Sequence, residues 1–249
     1  MALATPSCVG SGTLNSSNGG AAASFAWPAG TQSGDIGVLH IENAETNANT
    51  AATGTGANLN TQGWQVISEN NQPAALTVQL VYWLRATGVM ANAVAYSSSN
   101  HQQGGISTYR GALQTGTPYQ IVASGQKSAS SIYAFPSITT TINNSLIVYC
   151  LGDNRDVLGN NLSTYTGPSL ANPSLTLVHG ANISNNHGGG MYTLYGGLAT
   201  AGATGTMSGT LAGSAASNYT LFNLIPSGYP ETSGVVAGPN TAGNFFIFF

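Results

Sequence analysis

Serine, histidine and aspartate all occur in this 249-residue chain, so the first question is whether any stand at spacings that make a catalytic set. A G-x-S-x-G nucleophile elbow is absent. His187-Gly188-Gly189-Gly190 has the letters of an esterase oxyanion loop, but that loop works only at a strand–helix junction, and here it reads as a glycine-rich turn. Glycoside cleavage needs two carboxyls held a few ångströms apart in a cleft. The nearest pairs in sequence are Glu42 with Glu45 and Asp153 with Asp156, both in loop-like stretches with no sign of burial.

Metal chemistry fares no better. His40, His101, His179 and His187 are spread singly, none at the spacing that places two imidazoles on one ion. Asp153, Asn154 and Asp156 offer oxygens to a calcium ion, but the order D-N-R-D lacks the alternation of a calcium loop and places the Arg155 cation among them. Asp153, Arg155 and Asp156 are instead expected as surface-loop contacts, with Arg155 bridging to a carboxylate, across a subunit boundary in one version. Cys8 and Cys150 are too few and too far apart for a disulfide framework or a zinc site. Buried thiols are the expectation and one long-range bridge the alternative. No cofactor, catalytic residue or metal is called for.

The elements that would position such groups are strands. Only 4% of residues are charged, against about 25% in an ordinary soluble domain, so Ser, Thr, Asn, Gln and Gly must supply solubility. With 42% apolar residues, three Trp, seven Phe and eleven Tyr, a core is affordable and disorder is excluded. Helical periodicity is nearly absent, whereas apolar or β-branched runs recur near 34–42, 63–68, 75–85, 89–97, 105–110, 119–123, 138–142, 145–151, 174–179, 190–195, 204–212 and 218–225. In 74–85, Leu76, Val78, Leu80, Tyr82 and Leu84 share the face expected to line the core, while Thr77 and Gln79 point away. The run 218–225 reads as covered on both faces, and 204–211 as a wet outer strand. Residues 42–62 read as a surface excursion too poor in apolar groups to enter a core. A net charge of −3 with only Arg85, Arg110, Lys127 and Arg155 as fixed cations argues against nucleic acid, and no window is apolar enough for a membrane helix.

The reading is an all-β fold: an antiparallel β-sandwich or jelly roll over residues 1–226, followed by a C-terminal extended arm, 227–249. That arm ends in Phe245, Phe246, Ile247, Phe248 and Phe249, which must dock somewhere, either on the same protomer or on a neighbouring subunit by strand addition.

Several signposts appear in order: Gly34-Asp35 before an apolar strand, Gly63-Trp64, VYWLRATG at 81–88, Tyr109-Arg110-Gly111, a Pro-Ser-x-Thr-Thr-Thr stretch at 136–141 leading into Ser145-Leu146-Ile147-Val148, and the segment 201–226. Together they resemble a β-sandwich domain of tailed-phage virion structural proteins, over roughly residues 20–226; the 227–249 tail has no counterpart in that pattern. The resemblance implies a non-enzymatic protein of the virion exterior, either a tail or fibre component contacting the host or a head decoration protein. Its partners would be other virion proteins, further copies of itself as a trimer or hexamer, and a host surface glycan or receptor. The chain would be made in the host cytoplasm. The alternative from another class is a lectin-like carbohydrate-binding module using residues such as Asn154, Tyr165, Asn185 and Asn186; a hydrolase using His187 or Asp153 is third.

Overall fold

The computed structural model describes residues 3–18, 22–44, 56–72, 75, 77–95, 101–154, 162–166, 175–182 and 190–230. Two six-stranded antiparallel sheets face each other. The first runs in the order β1 (Ser7–Ser11), β8 (His101–Arg110), β4 (Ile36–Ala44), β6 (Thr77–Arg85), β5 (Gln65–Gln72), with β2 (Asn15–Asn18) also paired to β8. The second runs β12 (Leu162–Thr166), β16 (Met207–Leu224), β11 (Ser145–Asp153), β14 (Gly190–Leu198), β13 (Thr176–Asn182), with β9 (Tyr119–Phe135) on the other side of β16. Two short ribbons, β3 (Ala23–Phe25) with β7 (Ala93–Ala95) and β10 (Thr139–Thr140) with β15 (Gly202–Ala203), complete the strands. The fold is all-β, as the alternation of side chains requires.

Each sheet buries both of its faces, giving three apolar layers. Between the sheets lie Ile36, Val38, Val81, Trp83 and Tyr109 of the first against Leu146, Val148, Cys150, Phe222 and Leu224 of the second. Outside the first sheet, Leu39, Ile41, Val78, Leu80 and Tyr82 are covered by the β3–β7 ribbon and by the short helix α1 (Gly56–Thr61), whose Leu59 is fully buried. The 42–62 excursion therefore does enter a core at its far end, through the one leucine it contains, and its first three residues belong to β4. Gly63, at φ 90°, turns the chain so that Trp64 swings inward, where Trp27 stacks on it with ring centroids 5.4 Å apart.

The outer face of the second sheet is covered by its own longest strands. The ladder between β16 and β9 loses register between Thr210 and Ala215, a break of the kind that bends a ribbon. Beyond it, Tyr133, Phe135, Met207 and Leu211 pack on Ile147, Tyr149, Tyr192 and Leu194. Residues 207–211 are thus not a wet outer strand: they lie between β9 and β12 and bury Met207 and Leu211.

The sandwich edges are stitched by side chains. Along one edge Gln72 Nε2 donates to Lys127 O (3.3 Å), Tyr119 Oη donates to Val66 O (3.3 Å) and Gln126 donates to Asn71 O. At one end, Asp35 accepts two bonds from Arg110 (2.9 and 2.8 Å), whose second guanidinium nitrogen also donates to Gly30 O (2.9 Å), so the Gly34-Asp35 and Tyr109-Arg110-Gly111 signposts form one joint. Cys8 and Cys150 are free thiols, the first half-buried and the second buried. Asn144, at φ 59°, forms the Asn143-Asn144 turn before β11.

Candidate functional site

The layer between the sheets changes character along its length. On the inward face of β4 the order is Ile36, Val38, His40, Glu42; on β6 it is Trp83, Val81, Gln79, Thr77. On β11 it is Leu146, Val148, Cys150, Gly152, and on β16 it is Leu224, Phe222, Thr220, Asn218. Four strands in register pass from apolar to polar together. The polar half contains the strongest gathering of acid–base groups among the described residues, and all of it is buried: His40, Gln79, Thr193, Asn218 and Thr220 are 0% exposed and Glu42 is 1% exposed. Gln79 and Thr77 do face away from the Val78–Leu80–Tyr82 layer, but toward the opposite sheet rather than toward solvent.

Gln79 sets the proton order. Its Oε1 accepts from Thr220 Oγ1 (2.8 Å) and Asn70 Nδ2 (3.2 Å), while its Nε2 donates to the Asn218 carbonyl (3.3 Å). A backbone carbonyl only accepts, so this amide orientation is fixed. The same Nε2 lies 3.1 Å from His40 Nε2, which must therefore present its lone pair. His40 is left as the Nδ1–H tautomer, donating to Thr193 Oγ1 at 2.9 Å. Burial, followed by the charge of His179, lowers the His40 pKa to about 3. Burial likewise lowers that of His179 to about 4, against a small opposing effect of its bond to Gly12 O at 3.2 Å.

Glu42 lies at the end of this chain of bonds. Asn218 Nδ2 donates to Thr77 Oγ1 (3.4 Å), which donates to Glu42 Oε1 (3.1 Å). Burial first and the neighbouring Asp153 charge second raise the Glu42 pKa well above its ordinary value, outweighing the Thr77 bond. Gly152 packs closely opposite it: a Cβ there would come within 3.2 Å of Glu42 Cγ. Asp153, expected on a surface loop, is instead fully buried at the end of β11, where it lies against Gly190 and leaves no room for a side chain there. One carboxyl from each of the two sequence-neighbour pairs is thus buried, near enough for the Asp153 charge to act on Glu42 although Asp153 lies on the opposite face of β11, a proximity that sequence distance concealed. Glu45, Arg155, Asp156, His187, Asn185, Asn186 and Phe245–Phe249 lie outside the described residues, as do the side chains of His101 and Tyr165.

No protein-family model, curated protein or solved structure matches this chain. The chemistry must be judged on the cluster itself. It has an acid, two imidazoles and hydroxyls, yet the groups bond to one another across the sheets. Among the described residues no group of three or more His, Cys, Asp or Glu is arranged to hold a metal ion. Asn154, a candidate for sugar contact, has its amide engaged: Nδ2 donates to Ala75 O (2.9 Å) and Oδ1 accepts from Ala216 N–H (3.0 Å).

Proposed function

We propose that this chain is a non-enzymatic structural protein of the exterior of a tailed-phage virion, a tail or head-decoration component that works as a homo-oligomer. The observation that carries the reading is the use to which the acid–base inventory is put. His40, Gln79, Asn70 and Thr77 reach from one sheet to Thr193, Asn218, Tyr219 and Thr220 of the other. Groups that an enzyme would turn toward substrate here fasten the two sheets to each other, and burial favours the neutral forms of Glu42, His40 and His179.

Two further features support it. The resemblance of the Gly-Asp, Gly-Trp and Tyr-Arg-Gly signposts to phage sandwich domains agrees with their service as joints and turns. A chain with only 4% charged residues minimises nonspecific electrostatic attachment, which suits a particle that must touch one partner among many. The C-terminal Phe245–Phe249 run would supply the contact between subunits.

Light scattering on the full chain and on a chain ending at residue 230 tests this. A trimer or hexamer for the first and a folded monomer for the second is the expected result. A full chain that stays monomeric at every concentration would count against the proposal and favour the lectin-like alternative.

A further inference from the structure

We propose that His40 and His179 form an acid-sensitive latch between the two sheets, closed only while both imidazoles are neutral and released when either takes up a proton. The argument is one of hydrogen-bond polarity. Protonated His40 would carry a hydrogen on Nε2, directed at the Gln79 Nε2 amide 3.1 Å away. Gln79 cannot rotate to offer its oxygen without giving up Thr220 and Asn70 and turning that oxygen on the Asn218 carbonyl. Donor would face donor in a site without water access, and the contact must open.

His179 repeats the problem from the other sheet. Its Nε2 lies 3.2 Å from Gly12 O, before β2, so this nitrogen carries the hydrogen; Nδ1 is buried with no partner among the described residues. A second proton would sit there uncompensated, and its charge would act on His40. The ring is also clamped, since a Cβ at Gly105 of β8 would lie 2.9 Å from its Nε2.

No neighbouring charge rescues either ring. Facing His40 are Glu42 on its own strand, Cys150 on β11, His179 on β13 and, further along, Tyr109 on β8. Glu42 is held in its neutral form, and burial raises the pKa of the Cys150 thiol and of the Tyr109 hydroxyl, keeping both neutral. Asp153 lies against Gly190, on the face of β11 shared by Tyr149 and Leu151 rather than the one facing His40. The edges this latch holds are β13, through His179, and the β1–β2 connection, through Gly12. Release would free that flank of the sandwich first.

The test is urea unfolding of the whole chain at a series of pH values, wild type beside His40→Gln/His179→Gln. Relative to the variant, the wild-type folding constant should fall about a hundredfold per pH unit between about pH 5.5 and 4.5, tenfold for each imidazole. Equal slopes for the two proteins would overturn the proposal. A measurement on the wild type alone guards against a variant that fails to fold. By NMR, two of the four histidine Cε1–H resonances should keep their neutral positions down to about pH 5, and titration of all four near their ordinary value would overturn the latch.

Discussion

Replacing Glu42 with glutamine should stabilise the protein at neutral and alkaline pH, and the gain should grow with pH in a calculable way. Glu42 is buried with Thr77 as its hydrogen-bond donor, and the Asp153 charge discourages ionisation. Its folded pKa therefore lies above its unfolded one, ordinarily 4.5. A group shifted in this direction contributes its full stability below the unfolded pKa and loses it as pH rises toward the folded value. In that window the folded state holds one proton that the unfolded state has released, so stability falls by about 1.4 kcal/mol per pH unit. From about pH 5.5 upward, until the pH reaches the folded pKa, wild type should lose about 1.4 kcal/mol per pH unit through this group alone. Glutamine keeps the shape and an oxygen for Thr77 but cannot ionise, so it escapes the loss. Urea midpoints for both proteins at half-unit pH steps provide the assay. The difference between them should climb steadily across the window. Parallel curves would refute the reasoning, because they would mean that Glu42 is ionised in the folded state or that the cluster is hydrated.

Other consequences follow from the same geometry. Gln79→Leu, which keeps the volume but abandons Thr220, Asn70, His40 and the Asn218 carbonyl, should cost about 3 kcal/mol in urea unfolding, since buried groups left unpaired cost about 1–3 kcal/mol each and do not add fully. Gly105→Ala should destabilise by about 1–3 kcal/mol, because its methyl would meet His179 Nε2 and Leu14 Cδ2, each 2.9 Å away, from the interior of a sheet. Trp64→Ala should cost about 3–5 kcal/mol and Trp27→Ala less, as Trp27 is only half-buried; thermal melts of the two variants compare them directly.

The strands that bury large side chains were legible in the sequence because alternation leaves a clear mark: β4, β6, β11, β14 and the end of β16 fall where apolar runs place them. Strands built from small residues were not. Asn15–Asn18 and the middle of β9, GQKSASS, carry no large apolar residue to reveal a period, and Ser7–Ser11 carries only Val9, so their pairing is imposed by tertiary neighbours. The polar faces were misjudged for a related reason. Local pattern shows that Gln79 opposes Leu80, but not that a second sheet lies on the Gln79 side. The cluster itself joins His40 to Thr193, 153 positions apart, and Gln79 to Thr220, 141 apart, a juxtaposition no local spacing encodes. Asp153 read as a loop residue because it follows the apolar run and Gly152 and precedes Asn154, yet its strand extends two residues further than the hydrophobic signal.

The claim that matters most is that the chain builds particles rather than turning over substrate. Particles purified from a lysate in which this chain is made, separated into heads and tails and probed for it, test that claim most directly. Stoichiometric presence in one of the two fractions is the predicted result. Recovery of the chain only in the soluble fraction, absent from both heads and tails, would contradict it.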